Sequence, residues 1–61
     1  MKIIIAEDAV YGMVFWTGKN WAQSARGAKI YSNLTVTKVK GKLVKAFKGS
    51  RFTTGIRIKE A

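Results

Sequence analysis

The stretch that most constrains this chain is Asn33 to Gly49, NLTVTKVKGKLVKAFKG. Wound at roughly 100° per residue, it separates into two faces. Val36, Val39, Leu43, Ala46 and Phe47 fall on one. Lys38, Lys42, Lys45 and Lys48 fall on the other, with Gly41 among them. Lys40 lies at the edge of the apolar stripe, where a long stem covers hydrophobic surface while the ammonium stays wet. Asn33 is placed to cap the first turn, and Gly49 suits the left-handed position after the last. The pattern therefore predicts an amphipathic helix over 33–48. A second reading competes. Thr35, Val36, Thr37 and Val39 are β-branched, and Gly41 costs about 1 kcal/mol against Ala inside a helix. Lys40-Gly41 would then be the turn of a hairpin. That hairpin would send Val36 and Val39 to opposite faces, whereas the helix gathers five apolar residues on one.

The rest of the chain reads as strands. Residues 2–6, KIIIA, are too short for a helix and rich in β-branched side chains. Glu7-Asp8 is expected to turn the chain. Residues 9–17 follow as a second strand, with Tyr11, Met13 and Phe15 on one face and Val10, Val14 and Trp16 on the other; Gly12 marks a bulge or a close approach. Thr17-Gly18-Lys19-Asn20 is a turn by composition, and Trp16 and Trp21 are placed to face each other across it. Residues 22–27 read as a loop with room for one helical turn. Residues 28–31, AKIY, form a short third strand with Ala28 and Ile30 on one face. Ser32-Asn33 opens the helix. Residues 51–59, RFTTGIRIK, alternate cleanly: Phe52, Thr54, Ile56 and Ile58 against Arg51, Thr53, Arg57 and Lys59.

This order predicts an α+β fold: a small, mostly antiparallel sheet of three to four strands with one helix packed on one face. An all-β meander is the alternative if the hairpin reading holds. Ile3, Ile5, Phe52, Ile56 and Ile58 are expected to meet Val36, Val39, Leu43 and Phe47. The 61 residues make a single domain. So short a chain builds only a small core, so a homodimer is among the expected states.

The run Trp16 to Trp21 (WTGKNW), followed by Gly27-Ala28-Lys29-Ile30-Tyr31-Ser32, resembles a pattern in small uncharacterised proteins of tailed bacteriophages and prophages. The resemblance spans about half of the chain. It implies an N-terminal hairpin, a short helix, a C-terminal strand and a phage or prophage origin. Short non-enzymatic proteins of that kind modify host machinery. It carries over no catalytic residue.

Composition narrows the chemistry. Twelve Lys and Arg stand against three acids, Glu7, Asp8 and Glu60, for a net charge of +9. There is no cysteine and no histidine. A protein-built transition-metal site is not expected, and general acid–base catalysis lacks its usual groups. The glycines form no phosphate-binding fingerprint. We therefore expect a non-enzyme without cofactors. No apolar run has the length of a membrane span, and no signal segment is evident, which makes a cytoplasmic protein of a bacterial host the expectation.

The excess charge points to a polyanionic partner, either nucleic acid or an acidic surface of a host protein. Two surfaces compete for that role. One is the helix face with Lys38, Lys42, Lys45 and Lys48. The other is the outer sheet face with Arg51, Arg57 and Lys59, joined by Tyr11 or Trp21 as stacking aromatics. Lysines on a helix hold phosphates without reading sequence. The plain alternative is that the lysines form a solvated face and the tryptophans belong to the core.

Overall fold

The structure is a computed structural model that describes residues 1–47 and 54–61. Its elements are β1 (Lys2–Asp8), β2 (Gly12–Trp16), β3 (Trp21–Ala22), a single 3-10 turn (Ala25–Gly27), α1 (Asn33–Ala46) and β4 (Thr54–Glu60). The strands form one antiparallel sheet in the order β3-β2-β1-β4, with α1 packed on one face. This is the expected α+β architecture, and the helix reading of residues 33–46 displaces the hairpin.

β1 runs past Ala6 to Asp8, two residues further than the sequence predicts. The reason is the Asp8 side chain. Its carboxylate accepts the N–H of Val10 at 2.9 Å and of Tyr11 at 2.8 Å, closing a turn over residues 9–11. Those N–H groups cannot then serve a ladder, so the second strand begins at Gly12 and not at Ala9. Gly12 is no bulge: it closes the turn with φ +77°, a conformation that suits glycine. Val10 and Tyr11, expected on the strand, stand exposed in the turn.

The turn over Thr17–Asn20 falls where composition places it. The Thr17 N–H donates to the Asn20 carbonyl at 2.9 Å, and the Thr17 hydroxyl oxygen accepts the Asn20 N–H at 3.1 Å. Trp16 and Trp21 pair across it, ring centroids 5.1 Å apart and edge-on. The third strand is therefore Trp21–Ala22, not 28–31. The latter segment contributes one bridge to β1: Tyr31 N–H to Lys2 carbonyl at 2.7 Å, and Lys2 N–H to Tyr31 carbonyl at 2.8 Å. Tyr31 is buried and Ile30 is exposed.

Ser32, not Asn33, caps α1. Its hydroxyl oxygen accepts the Thr35 N–H at 3.3 Å, and Asn33 is already helical. Tyr31 just before the cap and Val36 in the second turn share the core, the arrangement of a hydrophobic staple. Ser32→Ala should cost about 1 kcal/mol in a urea melt. The expected glycine cap at Gly49 lies outside the described residues.

The core on the helix side comprises Ile4, Tyr31, Val36 and Leu43, with Trp16, Trp21, Val39, Phe47 and Ile56 packed against it. Ile4 and not Ile3 or Ile5 meets the helix. The register sets this: Ile4 pairs with Ile58, while Ile3 and Ile5 pair with Lys59 and Arg57. Residues paired across a ladder share a face, so Ile3 and Ile5 belong to the opposite side of the sheet. They are buried there all the same. Ala46, placed on the apolar stripe by the wheel, is exposed. β4 is an edge strand. Gly55 at φ +61° accompanies a register shift opposite Ile5 and Glu7. Phe52 lies outside the described residues.

Candidate polyanion-binding surface

α1 carries four cations, Lys38, Lys40, Lys42 and Lys45, and not one acid. Its buried side is Val36 and Leu43, with Val39 and Phe47 half-buried. Helical spacing then turns Lys38, Lys42 and Lys45 to solvent, and all three are exposed. Lys38 and Lys42 are one turn apart, and Lys38 to Lys45 spans about 10 Å along the axis. Lys40 is half-buried at the margin, as its place on the wheel predicts.

Every acidic side chain is engaged on the sheet. Glu60 accepts a hydrogen bond from the Lys2 ammonium and lies 3.8 Å from the N-terminal ammonium. Glu7 pairs with Arg57 at 3.2 Å. Asp8 holds its turn. Among the described residues, no ion pair reaches a lysine of α1. Like charges at i,i+4 destabilise a helix, so this face carries repulsion that a bound polyanion would relieve. Two copies of it would repel each other.

The hydrogen bond from Lys2, and then its charge, hold the Glu60 carboxyl below the ordinary glutamate range. A depressed carboxylate stabilises the fold above its unfolded-state pKa, and that contribution fades as pH falls through the folded-state pKa. Lys2→Met should return the Glu60 titration, followed by carbon NMR, towards the ordinary range.

The other predicted site residues divide. Arg57 and Lys59 alternate on β4 with Ile56 and Ile58, which puts them on the face turned away from α1. Among the described residues, Arg57 and Lys59 thus point away from Lys38, Lys42 and Lys45 and do not form one site with them. Arg57 is committed to Glu7, and Lys59 is exposed. Lys48 and Arg51 lie outside the described residues. Tyr11 stands 64% exposed on the β1–β2 turn. Trp21 is half-buried, its ring edge-on to Trp16 and 6.0 Å from Phe47. It packs against the core cluster, whereas Tyr11 stands free in the turn.

Sequence reasoning missed two members of the helix face. Leu34 is 86% exposed and Val44 45%. A wheel drawn to find the buried stripe passes over apolar residues off it. A Cβ built on Gly41, between them, meets nothing within 4 Å. Gly41→Ala should therefore stabilise the helix by about 1 kcal/mol in a denaturant melt.

No family model, curated protein or solved structure matches this chain. Among the described residues, no group of three or more acids comes together in a metal-binding arrangement, and no helix is long and apolar enough to cross a membrane.

Proposed function

We propose that this protein is a small non-enzymatic binding protein that contacts nucleic acid through the outer face of α1, with little sequence preference. The observation that carries this reading is the set Lys38, Lys42 and Lys45, exposed together on one helix with no ion pair among the described residues. Lysines so placed bind phosphates as point charges and release condensed counterions. A helix with no acid also lets the backbone of a duplex approach along its length. The segment resembling phage and prophage proteins fits a short accessory protein of such an origin.

The test is titration of a fluorescent random-sequence duplex at graded salt. Binding that weakens steeply with salt, and equally for unrelated sequences, supports the reading. Absence of binding to duplex or single strands at low salt removes it.

A second reading, a phage-type inhibitor or adaptor docking on an acidic host protein, is favoured by Leu34 and Val44. Exposed apolar side chains among lysines gain nothing from phosphates and do gain from a protein surface.

A further inference from the structure

On the α1 wheel, Leu34, Thr37, Gly41 and Val44 fall in one line. They are spaced three, four and three residues apart, the spacing of the seam positions of a coiled coil. All four are exposed. Lysines border the line on both sides: Lys38 and Lys45 on one, Lys40 on the other. In heptad terms these are the flanking positions whose charges choose a partner. The line is separate from the buried stripe of Val36 and Leu43, so the fold does not use it. Gly41 at its centre leaves a gap in which a neighbouring backbone can come close.

We propose that this line is a docking strip for an acidic amphipathic helix of another protein. Leucine-sized side chains of the partner would seat beside Leu34 and Val44 and over Gly41. Its glutamates would lie against Lys38, Lys45 and Lys40. Charge complementarity selects this occupant. A second copy would set lysine against lysine, and a phosphate backbone would leave Leu34 and Val44 idle. The proposal rests on the protein-docking reading of α1 and fails separately from the nucleic-acid reading, because the strip itself is uncharged.

The probe is a synthetic three-heptad helix with Leu at the seam and Glu at the flanking positions. Its control is a scrambled peptide of the same composition and charge. Binding is followed by NMR and by fluorescence anisotropy. The amphipathic peptide should bind at least tenfold tighter than the scrambled one, shifting the amides of Leu34, Thr37, Gly41 and Val44. The double variant Leu34→Gln/Val44→Gln should lose that preference while keeping its circular dichroism and its affinity for duplex DNA. Equal binding of the two peptides, or a preference untouched by the double variant, would overturn the proposal and reduce the contact to charge alone.

Discussion

Ile4→Ala is expected to cost about 2–5 kcal/mol, enough to populate the unfolded state heavily at room temperature. Ile4 is fully buried and sits on the inner strand β1, where it meets Val36 and Leu43 of α1 and Tyr31 just before the helix cap. Removing three carbons there leaves a cavity between two layers that can close only by moving α1. A domain of this size holds roughly 3–5 kcal/mol in total, so there is little margin. Ile58→Ala is the control. Ile58 pairs with Ile4 across β1–β4 but is 36% exposed on an edge strand, so its loss should cost no more than about half as much. Trp16 and Trp21, packed against the same cluster, report both transitions by fluorescence in urea. Equal midpoints for Ile4→Ala and the unmodified chain would remove Ile4 from the core.

That pair of isoleucines shows where the sequence stops being legible. The helix stripe and the alternation of β4 are periodic, and periodicity reports which residues face inward; hence Val36, Leu43 and Ile56 were readable. Ile3-Ile4-Ile5 has no period of its own. Its facing is set by the pairing of Ile4 with Ile58, a long-range fact, and a shift of one residue exchanges the two faces. The β1–β2 turn was misplaced for a different reason. Glu7 and Asp8 look alike as strand breakers, but it is the short Asp8 side chain that accepts the N–H groups of Val10 and Tyr11 and closes the turn. Ser32 and Asn33 are both good caps by type, and Tyr31 entering the core decides between them by fixing where the helix starts.

The lysine face was readable because it is the complement of the buried stripe. The lack of any acid near it was half-readable. Three acids in the composition showed how few partners exist, but that all three are held at the sheet required Glu60 to meet Lys2 and Glu7 to meet Arg57, residues 58 and 50 positions apart. The separation of Arg57 and Lys59 from the helix lysines likewise depends on which face of the sheet α1 covers. The Leu34–Val44 line was hidden in plain view, since exposure and not pattern distinguishes it.

Replacing Lys38, Lys42 and Lys45 by Gln should weaken duplex binding and leave the fold intact. Each lysine that neutralises a phosphate contributes about −0.9 to the slope of log affinity against log salt, so the variant should flatten that slope by roughly two to three units. The fold should hold, and even gain slightly, because all three side chains are exposed and the like-charge contacts at i,i+4 and i,i+3 are removed. Weaker binding together with equal or higher stability is a combination that partial unfolding cannot produce. Net charge falls by three, from +9, so the comparison needs a variant with the same loss elsewhere. Lys19→Gln/Arg26→Gln/Lys59→Gln serves, since those three are exposed and scattered over the turn, the 3-10 segment and β4. The two variants have equal net charge, so long-range attraction acts on both alike. Any excess flattening in the α1 variant is then contact with phosphate at that face. Equal slopes for the two would mean that binding follows total charge and that no face is the site. A larger effect in the scattered set would move the site towards Lys59 and the far side of the sheet.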